Sequence, residues 1–268
     1  MINMKEGFLE SYGYNVHYVL WEGDRPRVLL VHSMGMDGHS MDKLAESIKD
    51  EYSILSLTIL GHGDSDSPSA HLPLDEHAEI MRNCYRQLGF YPNVLIGHSV
   101  GGMMGMILTA EHPEEYNGLV LVDIAPFEST GSSSRPQPPE YFESEDDARE
   151  WLAERYPGFT DYYVENRLEH AFEEKDARLW LKPRGDSVRS GLVIDLWPYV
   201  EGIECPVMLL MGADSELVTP ETRERMAEMV PDIKIHVVEG TGHMIPQDVP
   251  EKFEELVIGF LERIYPSE

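Results

Sequence analysis

A chain of 268 residues with 42% hydrophobic content is long enough to bury one large core and is not low-complexity in composition. Its 21 basic residues against 49 acidic ones leave a net charge of −28, which opposes binding to phosphate backbones and anionic lipid surfaces and excludes nucleic acid as a partner. Cys84 and Cys205, the two cysteines, stand in no metal or redox spacing, so neither a disulfide scaffold nor a structural zinc site is supported.

The first stretch, MINMKEGFLE, lacks the apolar centre of a secretory leader. The longest apolar runs, Val28–Val31 and Val207–Met211, fall far short of the roughly 18 residues a membrane span requires. The expectation is a cytoplasmic protein with no membrane partner. From Phe8 to Trp21 the residues alternate loosely around a turn at Gly13, as in a pair of antiparallel edge strands.

Short apolar runs bounded by turn residues then follow at 28–31, 53–57, 94–96, 119–122, 207–211 and 233–238. Helical stretches alternate with them: Met41–Lys49, Asp75–Leu88, Met103–Glu111, Pro220–Met229 and Pro250–Ile264. Strands buried on both faces and alternating with helices imply an α/β fold, a mostly parallel central sheet covered by helices on both sides.

One interval breaks the rhythm. About eighty residues separate Val122 from Val207, too many for a structureless loop, so an inserted helical cap is expected there. It opens on ESTGSSSRPQPPE and continues as helical segments around Glu145–Glu154, Asp161–Glu173 and Asp176–Leu181. Twelve of the 25 aromatic residues lie between Phe127 and Tyr199, where they would line a lid or pack a small subdomain. The division expected is a core of 1–126 and 198–268 with a cap of 127–197.

The strongest local signal is NVLIGHSVGG, residues 93–102, a strand running directly into GHSVG and then into a glycine-rich helix. A serine on such a turn is held with its hydroxyl exposed, which makes Ser99 the candidate nucleophile. The N–H of Val100, at the helix N-terminus, is the first candidate oxyanion donor. A serine hydroxyl needs a base near neutral pH, and His243, in EGTGHMIP after the last strand, stands at the C-terminal edge of the sheet where catalytic groups gather. His98 is read as packing, and His62, in GHGDSDSP, as part of a tight turn fixed by Asp64 and Asp66 rather than as a metal ligand. The second oxyanion donor is the N–H of Met34, in VHSMGM after another strand. For the acid that orients the histidine, Asp123 at the end of LVLVD and Asp214 or Glu216 in MGADSELV all lie at strand ends on the same edge.

These motifs together resemble the α/β-hydrolase superfamily: GHSVG as nucleophile elbow, HSMG as oxyanion loop, GHGDSDSP as the next turn, GTGHMIPQDVPE as histidine loop and last helix. The resemblance covers nearly the whole chain, with one departure, Ser33 where the oxyanion loop usually has glycine. It implies a branch with its acid in an Asp-x-x-Pro element before the cap, here Asp123-Ile-Ala-Pro126, and a Gly-x-x-Ser element later, here Gly212-Ala-Asp-Ser215. Asp123 is therefore the expected acid, over Asp214 and then Glu216. The activity implied is cofactor-free, metal-independent hydrolysis of carboxylic esters of small or medium size. Lactone, amide or carbon–carbon bond hydrolysis would use the same groups, and a ligand receptor with little turnover is the non-enzymatic alternative. The partner expected is a small-molecule substrate, met by Arg184 and Arg189 if it is anionic, and a homo-oligomer is compatible with the sequence.

Overall fold

The computed structural model describes residues 4–23, 25–126, 138–185 and 194–266. The chain begins as a hairpin of β1 (Met4–Ser11) and β2 (Tyr14–Trp21). Its two-residue loop takes positive φ at both positions, 50° at Tyr12 and 86° at Gly13, the turn whose twist matches that of the flanking strands. Four further strands follow before the long interval: β3 (Arg27–Val31), β4 (Ser53–Leu57), β5 (Asn93–His98) and β6 (Tyr116–Val122). Within the interval lie β7 (Tyr141–Phe142), β8 (Phe172–Lys175) and β9 (Arg178–Leu181), and after it β10 (Val207–Gly212) and β11 (Ile233–Val238).

The large sheet has eight strands in the order β1-β2-β4-β3-β5-β6-β10-β11. Only the pairs involving β2 are antiparallel; from β4 to β11 every neighbour is parallel, so all those strands present their C-terminal ends at one edge. Two cores cover its faces. On one side Leu29, Leu55, Leu95 and Leu121 pack against α2 (Leu74–Gln87), α3 (Val100–Glu111) and α7 (Pro220–Met229). On the other, Leu30, Ile54, Ile96 and Val120 meet α1 (Asp42–Ile48) and α9 (Pro250–Ile264). Phe253, Val257, Phe260 and Leu261 form the buried stripe of α9 at helical spacing, and Phe253→Ala would cost about 3–5 kcal/mol.

The inserted segment departs from the expectation of helices alone. Its helices α4 (Glu145–Arg155) and α5 (Asp161–His170) form where expected, and Ser144 caps α4 by accepting the Asp147 N–H. Asp176–Leu181, however, is not helical, and α5 ends at His170 rather than running to Glu173. Asp176 and Ala177 adopt positive φ of 53° and 56°, closing a tight hairpin of β8 and β9 that pairs with β7 in a three-stranded antiparallel sheet. The physical reason is the Asp176-Ala177 turn, which reverses the chain between two four-residue runs, FEEK and RLWL, too short to show helical periodicity. Phe142, Leu152, Tyr156 and Phe172 pack there as a third, small core, joined by Met36 from the loop after β3. Residues 127–137, which include Phe127 and ESTGSSSRPQ, and residues 186–193 lie outside the described residues. The remaining helices are the short α6 (Trp197–Val200) and α8 (Ile245–Asp248).

Candidate active site

β5 ends at His98 and α3 begins at Val100, so one residue must turn the chain. Ser99 does so with φ 52° and ψ −117°, a backbone conformation that a non-glycine residue holds only under constraint. Its N–H donates to the Val122 carbonyl and its carbonyl accepts from the Met103 N–H, each at 3.0 Å. The flanking glycines are required by close approach: a Cβ on Gly97 would lie 2.5 Å from the Gly101 oxygen, and one on Gly101 2.3 Å from the Val31 oxygen. Gly97 is thus required where the strand folds back into the helix, and Gly101 where that helix passes the end of β3. The helix starts at Val100, three residues before the expected Met103, so the Val100 N–H has no acceptor four residues earlier.

One strand over, Asp123 stands at the end of β6, with a positive φ of 46° and its N–H bonded to the Leu210 carbonyl at 2.8 Å. Its carboxylate is fully buried and accepts three hydrogen bonds: from Gly212 N–H at 3.1 Å, Ser215 Oγ at 2.6 Å and His243 Nδ1 at 2.7 Å. A buried carboxylate is tolerable only with such partners. Because a carboxylate accepts and does not donate, His243 carries its proton on Nδ1, which leaves Nε2 as a free acceptor. The imidazole is 30% exposed, enough for a ligand to reach it. Asp214 and Glu216, the other acid candidates, are exposed, and neither is hydrogen-bonded to His243 among the described residues.

His98 does more than pack. Its Nε2 donates to the His243 carbonyl at 2.8 Å, and burial, followed by the neighbouring His243, pushes its pKa well below the ordinary imidazole value. A neutral, fully buried ring therefore anchors the loop that carries His243, helped by the Asp214 N–H on the Thr241 carbonyl at 3.1 Å. His32 plays the same part in the loop after β3. It donates from Nδ1 to the Ser33 carbonyl at 2.8 Å and accepts the Ile59 N–H on Nε2 at 2.9 Å, which fixes its neutral tautomer, and burial lowers its pKa to about 4. Neither role is legible in sequence, since each depends on a backbone group brought from a distant strand.

Met34 occupies a tight turn closed by Met36 N–H on the Ser33 carbonyl at 3.1 Å, with Gly35 at φ +81°. The Met34 N–H is not consumed by that bond. Ser33 is not among the residues with positive φ, so its position does not demand glycine. The turn is clamped from the inserted segment: Arg167 of α5 pairs with Asp37 and donates to the Gly35 carbonyl at 3.3 Å. Against the burial that opposes it, Arg167 holds the Asp37 carboxyl well below the usual carboxylate range.

His62, Asp64 and Asp66 form the expected turn. Asp66 accepts the Asn15 N–H at 2.7 Å, and Asp64 accepts from Lys182 at 2.7 Å. The turn is also clasped to the returning inserted segment by two backbone bonds, Gly63 N–H to the Pro183 carbonyl at 3.0 Å and Gly185 N–H to the Gly61 carbonyl at 2.8 Å. This fixes Arg184 beside Gly35, the guanidinium donating to Tyr156 Oη at 2.7 Å and lying 5.4 Å over the Trp151 ring. Its Nη1 is buried with no partner, and burial lowers its pKa. Arg189 lies outside the described residues.

Groups of histidine and carboxylate with metal-ligand spacing occur among the described residues at Glu6/His17/His39, His39/Asp42/His170 and Glu79/Glu111/His112, and none includes Ser99, Asp123 or His243. No helix among them is long and apolar enough to cross a membrane.

Comparison with known proteins agrees with this arrangement at the level of family and fold. The family model described as the alpha/beta hydrolase family matches residues 17–256. The chain is 24% identical over 251 residues to a 2-(acetamidomethylene)succinate hydrolase of Mesorhizobium japonicum, covering 90% of each. It is 24% identical over 255 residues to an esterase of Mycobacterium tuberculosis, covering 90% of this chain and 85% of the relative. Among solved structures, that of E-2-(acetamidomethylene)succinate hydrolase superposes with a TM-score of 0.85 at 21% identity, covering 97% of this chain and all of the other.

Proposed function

The chain belongs to the alpha/beta hydrolase family, and on that premise we propose that it hydrolyses carboxylic esters of small to medium acyl substrates through a covalent acyl-enzyme. The observation that carries this reading is the 2.7 Å bond from His243 Nδ1 to the buried Asp123 carboxylate, one strand from a serine in a constrained turn. In the proposed reaction Ser99 Oγ attacks the ester carbon while its proton passes to His243 Nε2. The N–H groups of Met34 and Val100 stabilise the oxyanion that forms. Collapse expels the alcohol, which takes the proton back from His243. Water then attacks the acyl carbon, giving its proton to His243, and Ser99 leaves reprotonated with release of the carboxylic acid. Asp123 stays ionised throughout, holding the imidazole tautomer and balancing its transient charge.

The test is direct. A fluorophosphonate probe should label Ser99, and a short-chain nitrophenyl ester should be turned over. Labelling and turnover that survive Ser99→Ala would overturn the proposal.

A second reading concerns the substrate. Arg184, unpaired by any acid among the described residues and fixed beside the Met34 turn, favours an ester or amide that carries a carboxylate, as the succinate in the name of the Mesorhizobium relative does. On this reading Arg184→Gln raises KM for a carboxylate-bearing ester about tenfold or more and leaves KM for its neutral methyl ester unchanged. An equal change for both substrates would remove the anion from the argument.

A further inference from the structure

At the opposite end of the sheet from β11, three donors converge from elements far apart in sequence. Glu6 on β1 and His17 on β2 are diagonal neighbours on one face of the hairpin, since Phe8 lies opposite His17 and Glu6 opposite Val19. His39 reaches them from the loop between Met34 and α1. We propose that Glu6, His17 and His39 form a binding site for a divalent transition metal of the zinc type.

The spacing carries the proposal. His17 Nε2 lies 3.6 Å from one Glu6 carboxylate oxygen and His39 Nε2 lies 3.7 Å from the other, and all three ligand atoms fall within 4.8 Å of one another. These separations exceed a hydrogen bond, but they nearly match the ligand–ligand edge of about 3.3–3.4 Å in a tetrahedral site with metal bonds of about 2.0–2.1 Å. Binding an ion would draw the three ligand atoms together from separations of up to 4.8 Å, a movement the exposed Glu6 side chain can follow. The Glu79/Glu111/His112 group differs here, because His112 Nε2 is already hydrogen-bonded to Glu79 at 2.9 Å, the distance of an ion pair without a metal.

The groups behind the donors are also those of a metal site. His39 Nδ1 is bonded to the Asp42 carboxylate at 2.8 Å and His17 Nδ1 to Thr58 Oγ1 at 3.0 Å, so each ring turns its Nε2 toward Glu6. A histidine oriented by a carboxylate on its far nitrogen is the usual second layer of a zinc site. Asp42 therefore acts as the orienting group for His39, and His170, at the end of α5, stacks on the His39 ring at 3.6 Å and closes that side. Both imidazoles are nearly buried while Glu6 is 41% exposed, which leaves the carboxylate side open to solvent as an entry path. The ion would pin the edge hairpin to the loop that carries Met34.

Untagged full-length protein, stripped with a chelator and titrated with Zn²⁺ against a chromophoric competitor, should bind one tight equivalent and melt at a higher temperature. Co²⁺ in its place should give the visible band of a four-coordinate ion. Glu6→Gln, a change at an exposed position, and His17→Gln should each weaken Zn²⁺ binding tenfold or more without altering ester turnover of the metal-free protein, whereas His112→Gln should leave binding intact. Absence of micromolar binding, or binding that Glu6→Gln and His17→Gln leave unchanged, would overturn the site.

Discussion

β6 and β10 are adjacent parallel strands that end side by side, and each is followed within two residues by a carboxylate. At the end of β6, Asp123 is wholly buried and accepts three hydrogen bonds, one of them from the residue that the other strand offers in place of an acid. At the end of β10, Asp214 and Glu216 are exposed, while Ser215 between them turns inward to Asp123. Equivalent topological positions therefore differ in burial, and burial with partners decides which acid can hold an imidazole. The lesson is that the two ends act as one unit: β6 supplies the charge and β10 supplies donors that make its burial tolerable.

On the proposed reaction the largest effect should come from Ser99. Ser99→Ala should lower kcat to the background of the assay, about 10⁶-fold or more for a complete triad, in a protein whose melting temperature is unchanged. Asp123→Asn is expected to reduce kcat by about 10³–10⁴-fold, because an amide can leave His243 with the wrong tautomer. Asp214→Asn and Glu216→Gln should stay within about twofold of wild type, as exposed side chains away from the imidazole. A reversal of these two results in folded proteins would assign the acid to β10. Ser215→Ala tests the cooperation between the ends: it removes one hydrogen bond to a charged acceptor, about 1.5–3 kcal/mol, and should cost about tenfold in kcat together with several degrees of melting temperature.

A smaller effect is read on stability alone. His32 is held at about 4 in the folded protein against 6.5 in the unfolded chain, so below 6.5 the unfolded state binds more protons. The contribution is fully present above that value and is lost as pH falls toward 4, on the order of 3 kcal/mol. His98 has the same sign. Thermal melts between about pH 7 and pH 4.5 should show a falling transition that is shallower in His32→Asn; identical slopes would remove the buried imidazole as its cause.

What the sequence revealed and what it hid divide along the same physical line. GHSVG was legible because the strand-to-helix turn lies within consecutive residues, where a Cβ on Gly97 would collide with the Gly101 backbone, although Gly101 itself is required by Val31 of β3. VDIAP and GADS were legible only as a pair, each explaining the departure in the other. The long helices and central strands followed from apolar periodicity, with boundaries shifted by a few residues, as at Val100. The hairpin of β8 and β9 was missed because four-residue strands carry too little pattern to separate from helix. His98 and His32 read as spare histidines, since their work is done on backbone groups that only folding brings near. Glu6, His17 and His39 form no motif for the same reason.

The two backbone bonds that tie Gly63 and Gly185 across the turn after β4 make the returning inserted segment, in effect, a hasp on the rim of the site. Their amides are clocks for its opening. Hydrogen exchange at those two positions measures how often these bonds break, independently of any substrate.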